Sequence, residues 1–217
     1  MDNYRTILKR VGLVVIAVGI FNLIYSFSVT PPVDQDDLSG FTAFVVVGVL
    51  LFRGNLRIVP IVTWIVALII SCYLSTLLIL YPLDPIELWL TKFSLDPINL
   101  SLLLFHTIIA IALSCWVYIQ LRTASVVRAT QRAGHSNSTP RLAFILGIIF
   151  VVVMVGIMQS IRTGEAGAKA IAIAQEQYGE EYEYHITGMS WESGQIRTNL
   201  VAYNQQEIKP VQVQWNR

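Results

Sequence analysis

The chain has 217 residues, of which 54% are hydrophobic and 13% are charged, and its formal net charge is +1. Its mean hydropathy is +0.59, and a soluble domain of this size carries about 25% charged residues. This composition excludes an ordinary soluble globular protein and a disordered chain. The near-neutral charge gives no basis for nucleic-acid binding, so we expect the lipid bilayer to be the main partner.

Uncharged stretches predict where the chain crosses the bilayer, because a charge at mid-membrane is costly and about 20 apolar residues span the hydrocarbon core. Five such stretches follow one another, and we expect a membrane all-α fold, a five-helix transmembrane bundle, over residues 1–161. The second stretch is short, since its 15 residues reach only about 22 Å as a helix. The predicted spans are about 11–30, 38–52, 58–81, 98–121 and 142–161.

The distribution of Lys and Arg predicts the orientation, because these residues concentrate in cytoplasmic loops. With five spans and a cytoplasmic N-terminus, the outer loops hold Lys92 alone. Four spans would place the basic 122–141 loop outside and the acidic loop around Asp84 inside. The sequence therefore favours a multi-pass protein of the cell (inner) membrane, with its N-terminus cytoplasmic and its C-terminus extracytoplasmic. The inner basic residues are Arg5, Lys9, Arg10, Arg53, Arg57, Arg122, Arg128, Arg132 and Arg141.

A short repeat precedes the fourth span, with LDPIEL at 83–88 and LDPINL at 95–100. In both copies, Asp followed by Pro predicts a helix start, with the carboxylate as N-cap and the proline at the first helical position. The first copy is expected to begin a short interfacial helix with Trp89 and Phe93 toward lipid. The second is expected to begin the fourth span. Two capped helices are favoured over a re-entrant gate or a docking ledge.

The inner loop over 122–141 is basic and ends in a polar stretch that contains glycine. This pattern predicts a helical extension of the fourth span followed by a flexible connector. Its arginines either contact anionic lipid headgroups or serve only to fix the topology, and the second interpretation is favoured.

Glycines within the spans predict positions where helices approach closely, although no strict GxxxG motif is present. They are Gly12, Gly19, Gly48, Gly147 and Gly156. Their positions indicate packing faces without identifying the helix that packs there.

Residues 162–217 are predicted to form a small extracytoplasmic α+β extension. Ala, Gln and Glu predict a helix that ends near Gly179. Alternating apolar and polar residues predict a three-stranded antiparallel meander over 183–191, 195–204 and 208–215, with Pro210 favouring an edge position for the last strand. Because this unit is small for an independent core, we expect a partner, a second copy or the membrane surface to complete its burial.

The spans offer few groups for chemistry, since they contain no Asp, Glu, Lys or Arg. His106 is the one imidazole within them. A neutral histidine bonded to a neighbouring helix is favoured there over a haem or chlorin ligand or a proton relay, so His106 is a weak candidate for cofactor binding. The chain contains no recognisable catalytic motif, and we expect no enzyme activity, no cofactor and no metal.

These features favour a non-enzymatic accessory, assembly or scaffold subunit that acts through its extracytoplasmic tail on another membrane protein or a second copy. The order of elements in the tail, a last transmembrane helix followed by α-β-β-β, is similar to that of membrane-anchored assembly factors of respiratory complexes. The alternative is a small oligomeric channel or transporter in which His106 or the 83–100 region lines the pathway. The candidate interaction residues are Trp89, Trp191, Tyr203, Val211, Val213 and Trp215.

Overall fold

A computed structural model describes residues 3–29, 35–136, 138–192 and 194–216. The chain is mostly helical, at 70%, and ends in a three-stranded antiparallel sheet. It divides into two compact units, Met1–Ser71 with Ala110–Gly147 and Cys72–Ile109 with Ile148–Arg217. The helices are α1 (Tyr4–Val29), α2 (Gln35–Phe52), α3 (Val59–Ser75), α4 (Ile86–Leu95), α5 (Pro97–Leu121), α6 (Ala124–Arg132), α7 (Arg141–Thr163) and α8 (Glu165–Tyr178). The strands are β1 (Glu183–Glu192), β2 (Gln195–Tyr203) and β3 (Ile208–Asn216).

Three helices among the described residues are long and apolar enough to cross a membrane: Val59–Leu83, Pro97–Leu121 and Arg141–Thr163. The first of them continues α3 through a π-helical turn, Thr76–Leu80, and a 3-10 turn, Tyr81–Leu83. They coincide with the predicted spans 58–81, 98–121 and 142–161, which are therefore confirmed as membrane-length apolar helices.

The first two predicted spans, 11–30 and 38–52, fall on α1 and α2. Within α2, Thr42–Phe52 is apolar but shorter than a membrane crossing requires, and residue 30 lies outside the described residues. A total of five spans is therefore not confirmed and stays a prediction.

In the first unit, α1 and α2 pack closely at two glycines. A Cβ atom built on Gly12 would lie 2.6 Å from the Gly48 carbonyl oxygen, and one built on Gly48 would lie 2.9 Å from the Gly12 carbonyl oxygen. Cβ atoms do not approach backbone so closely, so only glycine fits at this crossing. The predicted close approach is confirmed here, whereas a Cβ atom on Gly156 would meet nothing within 4 Å.

In the second unit, the sheet has the order β1-β2-β3, so β3 with Pro210 is an edge strand as predicted. Helix α8 ends at Gly179, whose φ of +103° is tolerated by glycine, and the predicted helix and three strands are confirmed. Alternate residues of β2 are buried, which gives the sheet an apolar face. The core cluster of this unit consists of Ala170, Ala174, Ile186, Leu200 and Val213.

Candidate functional site

The second unit holds a cluster of three ionisable side chains, Asp84, Arg162 and His185. Asp84 Oδ1 lies 3.3 Å from Arg162 Nη2 and 3.2 Å from His185 Nε2. The side chains are only 23%, 15% and 11% exposed, respectively. A carboxylate with two nitrogen partners in a mostly buried setting forms stronger hydrogen bonds than the same groups would in water.

Each member of this cluster comes from a different segment of the chain. Asp84 follows the 3-10 turn that ends the Val59–Leu83 helix, Arg162 lies in the last turn of α7, and His185 lies in β1. The cluster therefore attaches the sheet to the ends of two membrane-length helices.

Arg162 also binds the backbone of the sheet. Its Nε donates to the Ile186 carbonyl oxygen at 3.2 Å. The register between β1 and β2 shifts between Ile186 and Gly188, which marks a β-bulge, and bulges leave backbone groups outside the regular ladder. One guanidinium thus bridges Asp84 and the strand beside its bulge.

The environment of His185 favours the neutral imidazole. Burial lowers its pKa most, and the charge of Arg162 lowers it further, while the charge and hydrogen bond of Asp84 raise it. Lys92 makes a smaller lowering contribution. Because the net direction of the pKa is downward, His185 is a neutral hydrogen-bond partner of Asp84 near neutral pH, and Arg162 carries the compensating positive charge.

The sequence prediction for Asp84 is wrong in one respect. Helix α4 has Pro85 at its N-cap position and no side-chain capping bond, because the Asp84 carboxylate binds Arg162 and His185 instead. The equivalent residue of the second repeat, Asp96, accepts a hydrogen bond from Asn99 N at 3.1 Å and caps α5 as predicted. Charged partners within reach therefore decide which of two identical Asp-Pro sequences provides a cap.

No family model, curated protein or solved structure matches this chain. Among the described residues, the cluster forms a salt-bridged contact between the ends of two helices and the sheet. Across the described part of the chain, no group of three or more His, Cys, Asp or Glu side chains is arranged to hold a metal ion.

Four of the predicted interaction residues contribute to the fold of the extension. Val213 is 1% and Tyr203 is 4% exposed, while Val211 and Trp215 pack partly buried against the core cluster. Tyr203 donates to Glu183 Oε2 at 2.7 Å. Burial, this hydrogen bond, and the charges of Glu183 and Glu87 raise the Tyr203 pKa, so it stays a neutral phenol. A substitution at these positions would disturb the fold together with any partner contact.

The two remaining predicted interaction residues, Trp89 and Trp191, differ in how far their side chains are exposed. Trp89 packs beside Tyr81 with 5.5 Å between ring centroids, and its Nε1 donates to the Tyr81 carbonyl oxygen at 3.2 Å. Trp191, by contrast, is 56% exposed. Trp191 is therefore the predicted contact residue whose side chain is most accessible.

His106 lies on the exposed side of α5, next to Thr107, which is buried. Thr107 donates to the Leu103 carbonyl oxygen at 2.9 Å within the same helix. A role for His106 in cofactor binding or transport stays a prediction.

The Asp84–Arg162–His185 cluster was not predicted from the sequence, which gives no reason to place His185 beside Asp84. A signal was nevertheless present, since Asp84 and Arg162 carry opposite charges just beyond two apolar helices on the same predicted side. That signal is compatible with a contact between the two side chains, but it does not distinguish this contact from capping of α4 by Asp84, and it does not indicate the strand that joins the pair.

Proposed function

We propose that this protein is a non-enzymatic accessory, assembly or scaffold subunit of a membrane protein complex. In this proposal the chain crosses the cell membrane five times, with its N-terminus inside, and presents its C-terminal extension outside. The observation that carries the proposal is the Asp84–Arg162–His185 cluster. It holds a small folded extension against the ends of two apolar helices, as a protein that presents a rigid surface beside the membrane requires.

The same cluster supports the alternation of spans. Asp84 follows the Val59–Leu83 helix, and Arg162 ends α7. Their side chains meet, which supports the proposal that the C-terminal ends of these two helices lie on one side of the membrane. In this proposal α5, which lies between them in sequence, crosses in the opposite direction, in agreement with the orientation favoured by the basic residues.

The far end of the sheet offers the surface for a partner. Trp191 pairs with Ile196 and Ile196 pairs with Trp215 in the sheet register, so these three side chains form a row across one face. Ile196 is 8% exposed and Trp191 is 56% exposed. Half-exposed tryptophan beside buried apolar residues is typical of the residues that dominate binding energy at interfaces.

Position-specific photo-crosslinking in native membranes tests this surface. A photoreactive amino acid at position 191 should form one dominant adduct with a different membrane protein. The matched control is position 197, because Arg197 is exposed on β2 and pairs with Ser190, next to Trp191, while pointing to the opposite face. We expect no adduct at position 197.

Two results would count against the proposal. Equal yields of adduct at positions 191 and 197 would show that crosslinking results from random collisions with other membrane proteins. An adduct that joins only copies of this chain would favour the small oligomeric channel or transporter, and flux measurements on the His106→Ala variant would then follow.

A further inference from the structure

The first unit contains a cavity of about 850 Å³ that the function proposed above does not use. It is lined by the start of α1, the turn after α2, the end of α5, and α6. Its volume lies within the range of small-molecule binding sites.

Two arginines of α6 line this cavity, Arg128 and Arg132. They are four positions apart, so they are neighbours on one face of the helix, and both are exposed. The opposite side of α6 is anchored by Val126 and Thr130, which are fully buried. The helix is therefore held in an orientation that directs two like charges toward one space.

The rest of the lining suits a ligand with an anionic head and an apolar part. Asn3, Tyr4 and Gln120 contribute neutral hydrogen-bonding groups, and Ile7 and Leu56 contribute apolar surface. Among the described residues that line the cavity, none carries a carboxylate. Two neighbouring arginines, with no carboxylate among the described lining residues, favour binding of a phosphate group, whose oxygens match the guanidinium donors.

The cavity lies at the end of a membrane-length helix, which indicates its level relative to the bilayer. Helix α5 is a membrane-length apolar helix that ends at Leu121. Gln120 and Thr123, on either side of that end, both line the cavity. If α5 spans the bilayer, its end lies at the level of the lipid headgroups, where phosphate is abundant.

We propose that this cavity binds the phosphate group of an anionic membrane lipid, with Arg128 and Arg132 as its principal contacts. The proposal requires that α5 crosses the membrane, but it does not depend on the C-terminal extension or its partner. It assigns the two arginines a binding role in addition to any effect on topology.

Native mass spectrometry of the full-length protein in mild detergent measures this binding directly. The protein is titrated with phosphatidylglycerol, with phosphatidylcholine, and with inorganic phosphate. We expect phosphatidylglycerol to be retained at least fivefold more than phosphatidylcholine. The combined Arg128→Gln and Arg132→Gln variant should lose this preference.

Arg53→Gln is the matched control, because Arg53 is also an exposed, predicted inner arginine but does not line the cavity. It should retain the preference for phosphatidylglycerol. If the glutamine variant fails to fold, the double variant Arg128→Lys with Arg132→Lys replaces it in the test. This variant keeps both charges and should retain part of the preference for phosphatidylglycerol.

Three outcomes would overturn the proposal. Equal loss in the Arg53→Gln variant would indicate general attraction between basic protein and acidic lipid. An unchanged preference in the folded double glutamine variant would show that the cavity arginines do not bind lipid. Displacement of phosphatidylglycerol by an equal concentration of inorganic phosphate would assign the cavity to a soluble phosphate compound.

Discussion

Asp84 Oδ1 lies 3.3 Å from Arg162 Nη2, although the two residues are 78 positions apart in the chain. The ion pair closes a loop that begins after one membrane-length helix and ends at the last turn of another. Since His185 of β1 shares the same carboxylate oxygen, loss of Asp84 would remove the ion pair with Arg162 and the hydrogen bond with His185 together.

Asp84→Asn should loosen the attachment of the extension. The neutral amide leaves the mostly buried Arg162 charge without its counterion, and we expect a loss of about 1–3 kcal/mol. Hydrogen exchange in β1 of the full-length protein in detergent should become faster. Protease sensitivity between α7 and β1 should increase in parallel.

Asp96→Asn is the control for the Asp84 variant, because Asp96 occupies the same position in the second repeat. Asparagine is as good an N-cap residue as aspartate, so the cap of α5 should persist and exchange in β1 should not change. Equal changes of hydrogen exchange in β1 in the two variants would mean that the contacts of Asp84 with Arg162 and His185 contribute little to the attachment of the extension.

The extension was largely predictable because its elements depend on local sequence. Gly179 ends α8 and the alternation of apolar residues defines β2, and both features act over a few neighbouring residues. The three membrane-length apolar helices were predictable for the same reason, since an uncharged run of sufficient length suffices.

The cluster and the crossing of α1 with α2 could not be predicted in the same way. Asp84 prefers the distant Arg162 over its own helix, and nothing within the LDPIEL repeat encodes that choice. Gly12 and Gly48 were recognised as small residues, but the sequence does not indicate that they face each other. Such contacts depend on how separate elements pack, which local periodicity leaves open.

Acidification should loosen the extension through His185. Because the pKa of His185 is lowered in the folded protein, the unfolded state binds a proton more readily. The contribution of His185 to the stability of the extension is complete at pH values above the pKa of the unfolded-state imidazole, about 6.5. This contribution is lost as the pH falls from the unfolded-state pKa to the lower pKa that His185 has in the folded state.

Hydrogen exchange in β1 at pH 7.5 and pH 5, corrected for the intrinsic exchange rate, measures this effect. The wild-type protein should show the larger loss of protection at pH 5. His185→Gln cannot gain a proton and should respond less. An equal response of the two proteins would assign the pH effect to other titratable groups.

Gly48→Ala should weaken the packing of α1 against α2. The new Cβ would lie 2.6 Å from Ile16 Cγ1 and 2.9 Å from the Gly12 carbonyl oxygen, so the helices must separate at a cost of about 1–3 kcal/mol. The midpoint of thermal unfolding in detergent should fall. Gly156→Ala is the control, since its Cβ would meet nothing within 4 Å; a similar fall in both variants would contradict the close crossing.

Thr198→Val should stabilise the extension. Thr198 is fully buried, and its Oγ1 has no hydrogen-bond partner among the described residues. Valine has the same shape without the buried hydroxyl, which costs about 1–3 kcal/mol when unpaired, so protection from hydrogen exchange in β2 should increase. Thr187→Val is the control, because Thr187 Oγ1 donates a hydrogen bond to the Asn199 carbonyl oxygen at 3.1 Å. Its removal should not increase protection from hydrogen exchange. A gain in protection for Thr187→Val and none for Thr198→Val would mean that the two hydroxyl groups are satisfied differently from this structure.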